Sequence, residues 1–276
     1  MIPYAFKYRR PESVAEAQAM FAQSRDAKYL AGAQTLIPAM KQRLANPAEL
    51  IDLSALVELK RIALRGNAVI LGAGMAHGDV AESPEIRRRI PALSQLAGMI
   101  GDPAVRHRGT LGGSLANSDP AADYPAAVLG LGATIQTTKR SIAADAFFLG
   151  MFQTALEDGE IITEVAFPIP RLAAYAKFPN PASRYATVGV FVAGFADRAR
   201  VAVTGAGPFA FRVGAMEGTL SRRFHPEALA RISIPSDGLN SDLHASAEYR
   251  SHLVTVVAKR AAASALHSAH EGESSP

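Results

Sequence analysis

Apolar and polar residues alternate along the chain in short runs, and the period of each run predicts an element. Near the start, the pattern predicts a strand at residues 6–8, a helix over 14–24 and a strand at 28–30. Ser13 and Glu16 have the spacing of a capping box, which marks the beginning of that helix. We therefore expect helices and strands to be mixed from the first residues onward.

The next part of the chain carries turn and helix-start signals. Residues 61–71 contain two apolar runs about Gly66-Asn67, which predicts a β-hairpin. Residues 84–90 and 91–100 each begin with a proline, as helices often do, and we expect two consecutive helices there.

Beyond residue 171 the pattern changes to alternating strands followed by helices. Alternation at residues 175–178, 188–195 and 199–204 predicts antiparallel strands, and residues 226–232 and 247–267 are expected to be helical.

Two local expectations complete the pattern. Phe147, Phe148 and Phe152 form an aromatic cluster that we expect in the core, and residues 271–276 are expected to fray.

Two stretches of small residues interrupt these elements. Residues 31–35 join a strand to a helix, and residues 101–125 contain Gly109, Gly112 and Gly113. Glycine lets backbone N–H groups come close to an anion, and a helix amino terminus favours phosphate. Neither stretch has the spacing of a Walker loop or a Rossmann fingerprint. We expect two loops that hold a ligand of dinucleotide size from opposite sides, although a plain surface loop remains open for the second.

The amino-acid composition limits the chemistry that this chain can carry out by itself. None of the 276 residues is cysteine, which excludes disulfides, thiolate catalysis and cysteine-bound iron–sulfur clusters in this chain. Any redox role must use a bound organic cofactor. The net charge of +4 comes from interspersed residues, so no nucleic-acid-binding face is expected. No signal peptide or membrane-spanning run is recognisable, and we expect a cytoplasmic location.

The titratable residues suggest no catalytic centre. His77 and His107 have no partner at metal-ligand spacing, so we interpret them as surface or satisfied histidines and expect no metal site. Asp119 and Asp123 could be an acid pair, but we favour capping or cofactor-hydroxyl roles for both. No side chain is expected to act as a general acid or base.

Four motifs in order carry a resemblance that covers nearly the whole chain. Residues 31–38, 101–106, 108–120 and 158–164, with residues 246–253 near the end, resemble the FAD-binding medium subunit of the molybdenum hydroxylases. That group includes aerobic carbon monoxide dehydrogenase and bacterial relatives of xanthine dehydrogenase.

The resemblance implies an α+β fold in two parts. Residues 1–171 would be a two-part FAD-binding domain of the vanillyl-alcohol oxidase (PCMH) type, with subdomains at about 1–53 and 54–171. Residues 172–276 would be a small α/β C-terminal domain with an antiparallel sheet.

The resemblance also implies a set of cofactor-binding residues. Backbone amides and the hydroxyls of Thr35, Thr110 and Ser114 would hold the diphosphate of FAD, and Asp123 would bind its ribityl or ribose hydroxyls. The implied set is Ala31, Gly32, Ala33, Gln34, Thr35, Thr110, Leu111, Gly112, Gly113, Ser114, Asp123, Ile162, Lys177 and Tyr185. Ile162 would lie against the cofactor, and Tyr185 would shield or gate the flavin.

Two positions depart from the family pattern. Ala33 stands where the usual motif has a second glycine, and an alanine fits there if its φ angle is negative. The segment 177–183 has Lys177 as its single basic candidate for the flavin.

The implied function is electron transfer. FAD in this chain would take electrons from the two iron–sulfur clusters of a small [2Fe-2S] subunit and pass them to an external acceptor. The substrate would react at a molybdopterin-binding large subunit, in a dimer of heterotrimers. A self-contained FAD-dependent oxidoreductase and a flavin-free scaffold subunit remain open as alternatives. The organic substrate and the acceptor, whether quinone, NAD or oxygen, are not specified by the sequence.

Overall fold

The computed structural model describes residues 2–273, with side chains described to residue 268. The helices, in chain order, are α1 (Val14–Ala22), α2 (Leu36–Lys41), α3 (His77–Glu82), α4 (Pro84–Arg89), α5 (Pro91–Gly98), α6 (Pro103–Arg108), α7 (Leu111–Asn117), α8 (Tyr124–Leu131), α9 (Gly214–Arg222) and α10 (Ala247–Glu273). The strands are β1 (Lys7–Arg9), β2 (Ala27–Leu30), β3 (Glu49–Asp52), β4 (Ile62–Arg65), β5 (Ala68–Gly72), β6 (Thr134–Thr137), β7 (Ser141–Ala143), β8 (Phe148–Gly150), β9 (Gln153–Thr154), β10 (Ile162–Pro168), β11 (Leu172–Pro179), β12 (Ala186–Gly194), β13 (Ala199–Thr204) and β14 (Phe211–Arg212).

Within the described residues, these strands form three larger sheets and the two-stranded antiparallel pair β8-β9. The first, in the order β1-β3-β2, is parallel. The second, in the order β4-β5-β10-β6-β7, and the third, in the order β11-β12-β13-β14, are antiparallel. The mixture of helices and sheets confirms the expected α+β class, and the antiparallel sheet after residue 171 is confirmed.

Local signals account for most element boundaries. The Ser13 hydroxyl accepts a hydrogen bond from the Glu16 amide at 3.1 Å and so caps α1. Gly66, with φ +58°, makes the turn between β4 and β5, which confirms the predicted hairpin. Helices α4 and α5 begin at their prolines as predicted.

Strand β12 is buried along its whole length because helices cover both of its faces. Val188, Val190 and Val192 pack in the cluster that contains α10, whereas Phe191 and Ala193 belong to the largest core, which contains α8. The third sheet is therefore joined to the rest of the chain through α8.

Three expectations from the sequence are wrong. Residues 101–125 are not a long loop: they form α6, α7 and the start of α8, because Asp102 and Thr110 each cap a short helix. Phe152 is 58% exposed with a positive φ at the β8–β9 turn, whereas Phe147 and Phe148 are buried as expected. Helix α10 continues to Glu273, so it includes residues 271–273, and residues 274–276 lie outside the described part of the chain.

No helix within residues 2–273 combines the length and the apolar character that crossing a bilayer requires.

The packing of α8 on the third sheet predicts opposite effects for one substitution at two helical glycines. A Cβ on Gly130 would lie 2.8 Å from the Phe191 ring, whereas a Cβ on exposed Gly218 in α9 has no neighbour closer than 3.9 Å. We expect Gly130→Ala to lower the free energy of unfolding by about 1 kcal/mol, since overpacking outweighs helix propensity. Gly218→Ala should raise it by about 0.5–1 kcal/mol. Urea unfolding measures both, and a shift in the same direction would contradict this account of α8.

Candidate functional site

A cavity of about 740 Å³ opens between the first sheet and the segment that contains α6, α7 and the start of α8. Its walls come from parts of the chain that are distant in sequence: the β2–α2 junction, residues 100–123, the start of β10 and the loop between β11 and β12. The volume falls in the range of small-molecule and cofactor sites.

The cavity brings together most of the residues that the sequence singled out. Those that line it are Ala31, Gly32, Ala33, Gln34, Thr35, Thr110, Gly112, Gly113, Ser114, Asp123, Ile162 and Tyr185. Leu111 and Lys177 are not among the lining residues. The Leu111 side chain is buried in the largest core, and the Lys177 ammonium lies behind the wall.

The two predicted loops touch each other directly. A Cβ on Gly32 would lie 2.4 Å from the Arg108 carbonyl oxygen and 2.6 Å from the Gly109 Cα. A Cβ on Gly112 would likewise lie 2.7 Å from the Ala73 Cβ. The wall of the cavity thus depends on the missing side chains of Gly32 and Gly112.

The backbone amides of the two stretches differ in what they can bind. Within residues 2–273, the amides of 32–35 make no hydrogen bond, so they are available to a ligand. By contrast, the amides of 111–114 are all engaged: with the Met75 carbonyl at 3.0 Å, the Ala73 carbonyl at 2.7 Å, and the hydroxyl and carbonyl of Thr110 at 3.1 and 3.0 Å. Residues 111–114 therefore offer no free amide, and this stretch contributes the hydroxyls of Thr110 and Ser114 and a close backbone approach.

Ala33 adopts a left-handed conformation with φ +63°. An alanine would fit this position without strain only if its φ were negative, and this condition is not met. An L-residue with a Cβ is strained there by about 1 kcal/mol.

Asp123 is held by two residues of the third sheet. Its Oδ1 accepts a short hydrogen bond from the Tyr175 hydroxyl, and its Oδ2 lies 3.0 Å from the Lys177 ammonium, which also donates to the Met99 carbonyl at 2.9 Å. The Lys177 side chain is 4% exposed. Burial raises the pKa of the Asp123 carboxyl, and the Lys177 charge opposes that rise. Asp123 is the N-cap residue of α8, but its carboxylate makes no capping hydrogen bond; of the two roles expected for it, capping or binding a cofactor hydroxyl, only the second stays a prediction.

Tyr185 stands at the cavity opening, on the loop that joins β11 to β12. Its side chain is 46% exposed. Burial and then the charges of Asp119 and Asp123 raise the pKa of its hydroxyl, which stays protonated at neutral pH. Arg184, with φ +62°, donates to the Gly101 carbonyl at 3.3 Å and ties this loop to the opposite wall. Asp119 accepts a hydrogen bond from the Ala121 amide at 2.9 Å.

His77 is a cavity residue that the sequence reasoning missed. It is 5% exposed, its Nδ1 atom has no hydrogen-bond partner in the described part of the chain, and it lines the cavity. The expectation of a surface or satisfied histidine is therefore wrong. Burial, and then the Arg106 charge, lower the pKa of His77 to about 4. Residues 75–81 have an ambiguous pattern, and only the pairing of that segment with residues 109–112 brings His77 to the cavity.

Comparison with known proteins finds a family match for the first part of the chain. Residues 4–170 match the family described as "FAD binding domain in molybdopterin dehydrogenase". Among curated proteins, the carbon monoxide dehydrogenase medium chain of Hydrogenophaga pseudoflava is 35% identical, over 95% of this chain and 97% of that protein. The nicotine 6-hydroxylase medium subunit of Paenarthrobacter nicotinovorans is 34% identical, over 93% and 95%.

Solved structures agree with the sequence matches. The chain resembles a chain of quinoline 2-oxidoreductase from Pseudomonas putida 86 with a TM-score of 0.87 and 30% sequence identity. The match covers 98% of this chain and 99% of the other.

The strain at Ala33 predicts that glycine is the better residue there. We expect Ala33→Gly to raise the free energy of unfolding by up to about 1 kcal/mol, because glycine adopts positive φ without cost. The control is Ala39→Gly in α2, where the backbone is helical and glycine should lower stability by about 0.5–1 kcal/mol. Urea unfolding compares the two; a similar loss for both would mean that residue 33 is not left-handed in solution.

The lowered pKa of His77 predicts a pH-dependent contribution to stability. In the unfolded chain the imidazole takes up a proton near pH 6.5, whereas in the folded chain it does so near pH 4. Stability is therefore complete above about pH 6.5 and is lost as the pH falls toward 4. Between about pH 7.5 and pH 5 we expect wild type to lose about 2 kcal/mol more than His77→Leu in urea unfolding. Parallel pH profiles would refute a neutral buried imidazole.

Proposed function

This chain belongs to the family of FAD-binding domains in molybdopterin dehydrogenases, and we propose that it passes electrons from iron–sulfur clusters to an external acceptor. It is an oxidoreductase subunit whose cofactor is FAD, and it corresponds to the medium subunit of molybdenum-hydroxylase-type complexes. The direction of electron flow and the partner chains are part of the proposal.

The observation that carries the proposal is the chemistry of the cavity walls. The free amides of residues 32–35 suit an anion, and the glycine contacts leave a backbone cradle that a Cβ would fill. His77 contributes a polar imidazole to the same wall. These features fit a large cofactor with a diphosphate.

Each wall has a proposed role. The amides of residues 32–35 and the hydroxyls of Thr35, Thr110 and Ser114 hold the diphosphate. The Thr110 hydroxyl accepts from the Gly113 amide, which leaves its proton free to donate. When bound, FAD supplies the redox chemistry, and the protein supplies binding, orientation and electrostatics.

The residues around the rest of the cofactor orient it and exclude water. Asp123 can still accept a hydrogen bond from a hydroxyl group of the cofactor, because each oxygen of a carboxylate has two acceptor positions. Lys177 acts through Asp123, by fixing its position, rather than by touching the cofactor. Ile162 lies against the cofactor, and Tyr185 shields the flavin at the cavity opening.

The composition supports a division of labour between chains. Without cysteine, this chain can ligate no iron–sulfur cluster of the common type, so the electron donor must be a separate subunit. We propose a small [2Fe-2S] subunit and a large molybdopterin-binding subunit as partners, in a dimer of heterotrimers.

We propose a domain division to match. Residues 1–171 form the FAD-binding domain of PCMH type, with parts at about 1–53 and 54–171, and residues 172–276 form the C-terminal domain.

The first experiment is binding of FAD by the purified chain. After incubation with FAD and removal of the excess, we expect a bound-flavin absorption spectrum, FAD released on denaturation, and no oxidation of organic substrates without partner chains. Gly32→Ala should weaken FAD binding at least tenfold, about 1.4 kcal/mol, because its Cβ forces the Arg108–Gly109 backbone away.

The matched control is Gly78→Ala in α3, where a Cβ would meet Arg106 at an ordinary 3.5 Å. Its FAD affinity should equal that of wild type. Substrate turnover by the isolated chain would instead favour a self-contained oxidoreductase, and a colourless chain that stays colourless in complex with its partners would favour a flavin-free subunit.

A further inference from the structure

His77 lies at the first position of α3, against the Gly109 backbone. Its own amide donates to the Gly109 carbonyl at 2.9 Å, within the pairing of residues 73–77 with 109–112. This pairing fixes the backbone at His77 and leaves its imidazole at the cavity wall.

Space for the imidazole exists because residue 109 has no side chain. A Cβ at Gly109 would lie 2.5 Å from the His77 Nε2 atom and 2.7 Å from Cδ2. Gly32 approaches the same glycine, since its Cβ would lie 2.6 Å from the Gly109 Cα. The imidazole is thus packed directly against the place where the two ligand-binding stretches meet.

The imidazole has no hydrogen-bond partner in the described part of the chain. Nδ1 is fully buried and unpartnered. The neighbouring Tyr124 ring lies 5.3 Å away between ring centres, tilted by 50°, and also has an unpartnered buried hydroxyl. A buried polar group without a partner is costly and rare in native proteins. Because Nδ1 is itself inaccessible, a ligand in the cavity would meet the imidazole at Nε2, the atom that lies against Gly109.

Of the two stretches that meet at Gly109, residues 111–114 offer few donors to an anion. The amides of residues 111–114 are engaged within the chain, which leaves the hydroxyls of Thr110 and Ser114. An imidazole N–H would supply the missing donor, and its neutral form avoids the cost of burying an unpaired charge when the cavity is empty.

We propose that His77 is a cofactor-binding residue whose imidazole donates a hydrogen bond to the diphosphate of FAD. The inference rests on the proposed function, because it requires FAD in this cavity. It extends the binding site to a third stretch of chain, residues 73–77, beyond the two stretches rich in small residues.

The test compares ligands that contain different parts of FAD. Binding of FAD, ADP and riboflavin to the full-length chain is measured by calorimetry and flavin fluorescence for wild type, His77→Leu and His77→Asn. ADP has the diphosphate without the flavin ring, and riboflavin has the ring without phosphate. We expect His77→Leu to weaken FAD and ADP about tenfold each, with riboflavin within twofold of wild type. His77→Asn, which keeps a side-chain N–H, should retain FAD affinity within about threefold.

A second readout separates binding from a structural role. Leucine removes the unpartnered polar atom, so the ligand-free His77→Leu chain should unfold at a temperature equal to or about 2 °C above wild type, although it binds FAD less well. A histidine needed only for packing would give a lower temperature and weaken all ligands alike. Tyr124→Phe removes the neighbouring unpartnered hydroxyl, and we expect unchanged FAD affinity.

Three results would overturn the proposal: unchanged FAD affinity in His77→Leu, weaker FAD with unaffected ADP, or equal weakening of all three ligands with a less stable chain. Failure of wild type to bind FAD, alone or with its partner chains, would instead remove the proposed function, and this inference with it.

Discussion

Gly32 lies so close to the backbone of Arg108 and Gly109 that no side chain fits between them. This contact joins the first sheet to the helices that follow Ile100, and the cavity wall is built on it. The same glycine at position 109 admits the His77 imidazole from its other side. Because Gly32 and Gly109 have no side chains, three stretches of chain can pack together around a single cavity.

The two small-residue stretches offer different groups to a ligand, although their compositions are similar. Residues 32–35 leave their amides free, whereas residues 111–114 engage theirs in a short helix and in pairing with residues 73–75. The first stretch presents N–H groups and the second presents hydroxyls. A glycine-rich sequence is thus compatible with both an open loop and a closed helical turn.

Local signals were sufficient for many elements and for most lining residues. The hairpin at Gly66, the proline-led helices and the stretch 31–35 follow from residues that are neighbours in sequence. The conformations of these elements depend on turn and capping chemistry, which involves only residues close in sequence. Residues 111–117 were expected to be a loop because of their glycines, whereas in the fold the Thr110 hydroxyl caps a helix and the Gly112 amide donates to the distant Ala73 carbonyl.

Contacts between residues distant in sequence explain why the remaining features could not be predicted. The pairing of Asp123 with Lys177 joins residues 54 apart in sequence, and no local pattern announces it. His77 becomes a buried unpartnered group only when residues 73–77 pair with 109–112. Phe152 has an aromatic side chain but stands at a turn with positive φ, which directs it to the surface.

The Lys177–Asp123 ion pair has a thermodynamic consequence. It fastens the edge strand β11 of the third sheet to the first residues of α8, and the same carboxylate faces the cavity. Ligand binding in the cavity and docking of the third sheet on α8 are then linked equilibria. A ligand that holds Asp123 in place stabilises the docked sheet by the same free energy by which the docked sheet strengthens ligand binding.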